Sequence, residues 1–286
     1  MPAPPLPTGS YPTIRTLACH PELRGAVLPY FSCEITAAPF TRQLVPDGSV
    51  DVLFSLDGSY GQRPGTVEPE ICVAGAVTSP VAVQRPAGSL VIGVSFAPGA
   101  AAGFLGVPLH HLTDRVCDLR ELWGREAGDL LDQLRDAAPA ARGWLLDSFL
   151  LRKRAAGRAP DPVLTAGVEL IRAHGGQLSM RALAERLDVP ERRLERLFLA
   201  GVGVSPKKLA RIARLHAVLG RLARPHPAPV PWAMLAVELG FADQAHMIRE
   251  FRQLVGTTPA SYARDGALSH TFGAGLTAER PSRLRA

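Results

Sequence analysis

The stretch that decides the fold lies in the C-terminal half of the chain, from Ser179 to Pro206. It reads S-M-R-A-L-A-E-R-L-D-V-P-E-R-R-L-E-R-L-F-L-A-G-V-G-V-S-P, and its landmark residues recur 52 residues later before one inserted residue and 53 residues later after it. The matched pairs are Leu183 and Leu235, Ala184 and Ala236, Leu187 and Leu239, Val189 and Phe241, Leu194 and Met247, Arg196 and Arg249, Phe198 and Phe251, Gly203 and Gly256, and Pro206 and Pro259. This recurrence indicates two copies of one supersecondary unit.

Each copy has the pattern of a helix-turn-helix. In the first copy, Ser179 can accept a hydrogen bond from a free amide at a helix start, and Leu183 and Leu187 share one face of that helix. Asp188 is predicted at the turn, because Asp tolerates the left-handed conformation better than most residues. Pro190 fits the cap or first turn of the next helix, where its missing amide costs nothing. The corresponding residues of the second copy are Gly240 at the turn, Asp243 at the cap and Gly256 at the helix end.

The second helix of each copy has an apolar face, here called the rear, and an opposite, largely polar face, here called the front. In the first copy the rear is formed by Leu194, Leu197 and Phe198. The front is predicted to carry Arg192, Glu195 and Arg196 in the first copy and Gln244, Ala245, His246 and Arg249 in the second. A helix with a buried rear and a front of Arg, Gln and His is what reading of the DNA major groove requires.

These motifs carry a family resemblance. The runs L-A-x-x-L-x-V-P-x-x-x-L-x-R-x-F, G-V-S-P, L-A-x-E-L-G-F-A-D-Q-A-H-M-x-R-x-F and G-T-T-P-x-x-Y resemble the DNA-binding domain of AraC/XylS-type transcription regulators, over about residues 162–264. The resemblance implies seven helices, with two helix-turn-helix units bridged by a long helix, and each recognition helix in one of two successive major-groove segments. The sequence departs from the family pattern at Leu209, often Tyr, at Met247, usually aromatic, and in the proline-rich residues 225–231.

The candidate DNA-contacting residues follow from these faces. They are Arg192, Glu195, Arg196, Lys207, Lys208, Gln244, Ala245, His246 and Arg249. Arginine suits phosphate and guanine through its planar fork, although surface arginine in an arginine-rich chain is the alternative. Glu195 either accepts from a cytosine amino group or pairs with Arg192. His246 is equally a surface histidine, and Lys207 and Lys208 are either phosphate contacts or a solvated pair.

The first part of the chain has a different pattern, of short strands separated by turn signals. The predicted strands are Val27–Ile35, Ser49–Leu56, Ile71–Val77, Val81–Gln84 and Leu90–Phe96. They indicate a small β-barrel or sandwich, followed by helices at Ala100–Leu105, Leu119–Arg135 and Pro139–Lys153. The landmarks P-D-G at residues 46–48 and G-V-S-F-A-P-G at residues 93–99 resemble an uncharacterised β-barrel domain often found ahead of this DNA-binding domain. The resemblance implies effector sensing or dimerisation.

The charge distribution supports a polyanionic partner for the C-terminal half. Residues 1–150 carry 10 basic and 15 acidic side chains, whereas residues 151–265 carry 19 basic and 10 acidic ones. A basic half of this kind is typical of nucleic-acid binding.

Other classes of function lack their signals. No apolar run reaches the roughly 18 residues of a membrane span, and the first residues do not have the pattern of a secretory signal. The four separated cysteines (Cys19, Cys33, Cys72 and Cys117) predict reduced thiols in a cytoplasmic protein. His110 and His111 with Cys117 lack a further ligand at metal-site spacing, and no catalytic motif is present. We therefore expect no metal, no cofactor and no enzymatic activity.

The sequence thus predicts an α+β protein of two domains. The expected boundaries are disordered residues 1–12, a β-rich then helical sensor or dimerisation domain at 13–153, a linker at 154–162, an all-α DNA-binding domain at 163–265 and a disordered tail at 266–286. The expected function is sequence-specific binding of double-stranded DNA in transcription regulation. The further candidate partners are RNA polymerase, a small-molecule effector of unknown identity and a second copy of the chain. The alternative is a small-molecule-binding or enzymatic barrel for which DNA binding is secondary.

Overall fold

The computed structural model describes residues 12–36, 38–223 and 230–264. The predicted disordered segments at 1–12 and 266–286 lie outside the described residues, apart from residue 12, and so does most of the proline-rich stretch at 225–231. Within the described ranges, no helix is both long enough and apolar enough to cross a membrane.

Two antiparallel sheets form the first part of the protein. Their strands are β1 (Thr13–Leu17), β2 (Tyr30–Glu34), β3 (Phe40–Leu44), β4 (Val50–Ser55), β5 (Gln62–Arg63), β6 (Thr66–Val67), β7 (Ile71–Ala74), β8 (Val81–Arg85), β9 (Leu90–Phe96) and β10 (Val116–Asp118). The larger sheet has the order β1-β2-β9-β4-β7-β10, and the smaller has the order β3-β8-β5-β6. The predicted β-rich domain is therefore confirmed, with two sheets rather than one continuous barrel.

Helices cover one face of the larger sheet. They are α1 (Ala102–Leu105), α2 (Arg120–Trp123), α3 (Arg125–Asp136) and α4 (Arg142–Ala156). Alternate residues of β4, such as Val52 and Phe54, are fully buried in one core with Leu130 and Leu131 of α3. Because side chains of a strand alternate between its two faces, Asp51 lies on the opposite face, toward the smaller sheet.

Several boundaries differ from the sequence prediction. The single helix expected at 119–135 is two helices, because Gly124 has a φ of +59° and ends α2. The linker expected at 154–162 begins later, since α4 continues to Ala156 and only residues 157–161 separate it from the next helix. Its residues Arg154, Ala155 and Ala156 are good helix formers, which explains the continuation. Strands β1, β3, β5, β6 and β10 were not among the predicted strands.

The C-terminal part has seven helices among the described residues. They are α5 (Pro162–Ala173), α6 (Met180–Arg186), α7 (Glu191–Gly201), α8 (Pro206–Leu222), α9 (Trp232–Glu238), α10 (Gln244–Val255) and α11 (Pro259–Arg264). The predicted long bridging helix is confirmed as α8. Its first half contributes Leu209 and Ile212 to the core around α5–α7, and its second half contributes Leu215 and Leu219 to the core around α9–α11.

Among the described residues, hydrogen bonds at three places join the N-terminal domain to these helices. The Thr113 hydroxyl donates to the carbonyl oxygen of Gly203 at 2.6 Å, just after α7. The amide of Gln43 donates to the carbonyl oxygen of Val255 at 3.1 Å, at the end of α10. The buried ring of His216, in the middle of α8, lies with Nε2 2.8 Å from the carbonyl oxygen of Pro46. The N-terminal domain therefore contacts both halves of the helical part.

Charged side chains lie between the two sheets. Glu68 is fully buried and pairs with Arg63 at 2.6 Å and with Arg85 at 2.5 Å. Asp51 is a different case, because its Oδ1 atom is shielded from solvent without a hydrogen-bond partner. Burial raises the pKa of Asp51 to about 7, and the charge of Asp47 adds to the increase against the lowering effects of Ser95, Arg42 and Arg63.

This pKa predicts a specific pH dependence of stability. The folded chain keeps the proton of Asp51 up to about pH 7, whereas its ordinary value is 3.8. The folded state therefore binds more protons in this window, and the free energy of unfolding should fall as the pH rises through it. In Asp51→Asn, which cannot ionise at this site, urea denaturation at pH 5 and pH 7.5 should show a smaller loss. The exposed Asp129→Asn is the control and should retain the wild-type dependence; an Asp51→Asn profile equal to it would contradict the assignment.

Candidate nucleic-acid interface

The helix starts of both repeat copies have the predicted caps. The Ser179 hydroxyl accepts from the amide of Ala182 at 3.1 Å at the start of α6. The Asp243 carboxylate accepts from the amide of His246 at 2.6 Å at the start of α10. Pro190 lies immediately before α7, as expected for a residue without an amide hydrogen.

The turn between the paired helices is left-handed in both copies. Asp188 has a φ of +50°, and Gly240 at the equivalent place has a φ of +77°. These values confirm the predicted turns. Gly240 has a second constraint, because a Cβ there would lie 2.8 Å from Cγ of Gln177, and the Gln177 amide donates to the carbonyl oxygen of Glu238 at 3.3 Å. The loop before the first helix-turn-helix thus packs on the turn of the second.

The rear faces of α7 and α10 are buried as predicted, except that Leu197 of α7 is only partly buried. Leu194 and Phe198 of α7 are at most 1% exposed, and Met247 and Phe251 of α10 are at most 2% exposed. Met247 therefore fills the core position where the resemblance implies an aromatic residue. Both helices pack on α8, which fixes the side that each presents to solvent.

Most of the predicted contact residues lie on the solvent side. The exposed ones are Arg192, Glu195, Arg196, Lys207, Gln244, Ala245 and Arg249. Within the described part of the chain, no ion pair joins Glu195 to Arg192, so the carboxylate of Glu195 is not held by that neighbour. Lys208 is only partly exposed, and burial followed by the charge of Arg211 lowers its pKa.

The side chain of His246 has contacts within the protein. Its Nδ1 atom accepts from the amide of Ala242 at 3.3 Å, and its Nε2 atom lies 3.6 Å from the Glu250 carboxylate. The ring also meets the ring of Phe241 edge-on, with 5.6 Å between centroids. These contacts orient His246 at the first turn of α10, and its contact with DNA stays a prediction.

A group of charged side chains behind α10 was missed in the sequence. Glu250 is 9% exposed, and it accepts from Nε of Arg211 at 2.7 Å and from Nη2 of Arg214 at 3.4 Å. The only sequence signal is an acidic residue on the buried side of a helix that is otherwise basic. Helical spacing alone does not pair it with residues about 40 positions earlier.

The caps generate a test of the local structure. We expect Asp243→Ala to lower the free energy of unfolding by about 1 kcal/mol, because the amide of His246 loses its acceptor. Ser179→Ala should cost a similar amount at the other copy. Urea denaturation of both variants measures the losses, and no loss in either would show that the caps are not needed.

The comparisons with known proteins agree with this division of the chain. Residues 183–265 match the family described as a helix-turn-helix domain, and residues 15–118 match a domain of unknown function. No curated protein matches the sequence.

The chain is also similar to solved structures from two bacteria. The C-terminal domain of AraT, a response regulator from Geobacillus stearothermophilus, is 23% identical and covers 37% of this chain and 87% of its own, with a TM-score of 0.34. ToxT from Vibrio cholerae is 9% identical and covers 84% of this chain and 98% of its own, with a TM-score of 0.44. A wild-type ToxT structure with bound unsaturated fatty acid is 11% identical and covers 87% of this chain and 99% of its own, with a TM-score of 0.39.

Proposed function

We propose that this DNA-binding transcription regulator reads a specific double-stranded sequence with α7 and α10 in successive major-groove segments. Its residues 183–265 form a helix-turn-helix domain of the AraC type. We further propose that its N-terminal domain modulates this binding in response to a small molecule. The observation that carries the DNA-binding proposal is the repeated construction of two recognition helices. Each has a buried rear on α8 and an exposed arginine at the same repeat position.

Arg196 and Arg249 are the residues with the strongest claim to base contact. They are equivalent in the repeat, and both are exposed on the side opposite the buried residues of their helices. A guanidinium can donate two hydrogen bonds to the major-groove edge of guanine, and such a pair contributes about 1–3 kcal/mol of discrimination. Arg192, Glu195, Gln244, Ala245 and His246 are proposed as neighbouring contacts, with Lys207 and Lys208 at the phosphates.

The charge of the helical half supports strong dependence on salt. Residues 151–265 carry 19 basic and 10 acidic side chains, and phosphate neutralisation releases counterions from the duplex. Log K should therefore fall with log of the salt concentration at roughly 0.9 per phosphate contacted. A separation of about 34 Å between the groove segments corresponds to one helical turn of DNA.

The test uses the DNA site that the full chain selects from a random pool. We expect Arg196→Ala to relax the sequence preference in one half of the site and Arg249→Ala to relax it in the other, each with a loss of about 1–3 kcal/mol. Binding is measured by fluorescence anisotropy on the selected site and on sites with each half randomised. Arg15→Ala, an exposed arginine of β1, is the matched control and should bind like the wild type. Equal losses on selected and random DNA would reduce both arginines to phosphate contacts.

The proposed modulation rests on where the N-terminal domain meets the helices. Thr113 donates to a carbonyl just after α7, and Gln43 donates to one at the end of α10. Gln43 lies on β3 beside Arg42, which is close enough to Asp51 between the sheets for the two charges to interact. A change between the sheets therefore has a short path to the second recognition helix.

These contacts generate a prediction of their own. In the double variant Thr113→Val and Gln43→Leu, the two carbonyl groups lose their donors, which costs about 1–3 kcal/mol for each that stays buried. We expect faster amide hydrogen exchange after α7 and at the end of α10, together with a changed affinity for the selected DNA. Unchanged exchange and affinity would show that the N-terminal domain does not act through these contacts.

The remaining expectations follow from the class of protein. A DNA-binding regulator is typically not an enzyme, and it works where the DNA is, which keeps the cytoplasm as the proposed location. RNA polymerase and a second copy of the chain stay as proposed partners.

A further inference from the structure

Glu250 is an acidic residue that joins the second recognition helix, α10, to the bridging helix, α8, through ion pairs. It lies on the rear of α10, between the buried Met247 and Leu254, and it is 9% exposed. Its Oε1 atom accepts from Arg211 at 2.7 Å and its Oε2 atom lies 3.4 Å from Arg214. Both arginines belong to α8, so one carboxylate joins α10 to two successive turns of that helix.

The two arginines extend these contacts in both directions. The Nη2 atom of Arg211 donates to Oε1 of Gln253 at 2.6 Å, so Arg211 also contacts the next turn of α10. Arg214 donates to the carbonyl oxygen of Gly176 at 2.7 Å, in the loop before the first helix-turn-helix. The guanidinium of Arg214 also lies 5.6 Å from the ring centroid of Phe241, just before α10. A continuous set of contacts therefore runs from α10 through α8 to the first helix-turn-helix.

The physical character of these contacts suits positioning. Charge-assisted hydrogen bonds from guanidinium to carboxylate are shorter and more directional than neutral ones. The planar fork of arginine fixes the angle between the groups that it joins, which an apolar contact does not. Removal of the acceptor leaves arginine charges partly buried and uncompensated, so the helices must shift to solvate them.

We propose that Glu250 is a positioning residue that fixes the orientation of α10 relative to the first helix-turn-helix and thereby sets the spacing between the two DNA segments that the protein prefers. The proposal rests on the proposed reading of DNA by two recognition helices. Glu250 acts through Arg211 and Arg214, since it lies on the buried side of α10, away from the exposed Gln244, Ala245 and Arg249. Of the predicted DNA contacts on α10, His246 is the one near Glu250, with Nε2 3.6 Å from its carboxylate.

Other contacts keep the two units together when Glu250 is changed. Gln177 still donates to the carbonyl oxygen of Glu238, and Arg221 of α8 still pairs with the Glu238 side chain at 2.7 Å. The apolar core that Met247 and Phe251 share with α8 is also untouched. The variant Glu250→Gln, which keeps the size of the side chain and removes its charge, should therefore fold.

The DNA experiment separates position from charge. The selected site is compared with sites in which one base pair is inserted or deleted between the two halves, and with a site in which the half read by α10 is randomised. We expect Glu250→Gln to reduce the discrimination between the correct and altered spacings by about tenfold, while binding to the half read by α7 stays at the wild-type level. Glu169→Gln, which removes an exposed carboxylate from α5, is the matched control and should keep the spacing preference.

Amide hydrogen exchange of the free protein provides a readout that needs no DNA. We expect faster exchange in α9 and α10 of Glu250→Gln, with α6 and α7 unchanged. Equal acceleration of both units, or a spacing preference that survives with unchanged exchange, would overturn the proposal. If the wild type itself has no sequence or spacing preference, the proposed reading of DNA by two helices fails. The role of Glu250 in the free protein is then tested by exchange alone, and unchanged exchange in α10 of Glu250→Gln would overturn it.

Discussion

The burial of two apolar surfaces on one shared helix is the constraint on which the C-terminal half depends. The first half of α8 packs against α5–α7 through residues such as Leu209, and its second half packs against α9–α11 through residues such as Leu215. Neither unit has a complete core without this helix. Burial of an apolar side chain of this size contributes about 1.5–3 kcal/mol, so rotation of either unit about α8 would expose surface at a considerable cost. Apolar packing keeps both units on α8, and the directional polar contacts around Glu250 fix the orientation of α10 on that helix.

The sequence predicted the helical half well, because its signals are local. Caps at Ser179 and Asp243, left-handed turns at Asp188 and Gly240, and apolar spacing along α8 each depend on a few neighbouring residues. The family resemblance added the arrangement of the two units. Contacts between distant parts of the chain lay beyond such signals: the pairing of Glu250 with Arg211 joins residues 39 positions apart, and no periodicity specifies it.

The N-terminal domain was harder to predict for related reasons. Strand β3 (Phe40–Leu44) has no fully buried residue, so its side chains lack the clear alternation of a half-buried strand. Its pairing with β8 gives it structure. The end of α4 was missed in the opposite sense, since the basic residues from Arg154 onward suggested a solvated linker, whereas the helix continues to Ala156. This last turn follows directly on Lys153, which lies over the rings of Trp123 and Phe149 and pairs with Glu126. In both places tertiary contacts decide what composition leaves open.

The two turns of the repeat differ in the space that they leave for a side chain at the left-handed position. At the first turn the left-handed position holds Asp188, which is exposed to solvent and has room for a side chain. At the second turn Gln177 occupies the space where a Cβ of residue 240 would stand. The two modules are therefore not interchangeable, because only the second turn lacks space for a side chain at its left-handed position. The packing of Gln177 on Gly240 therefore requires this order of the two modules along the chain.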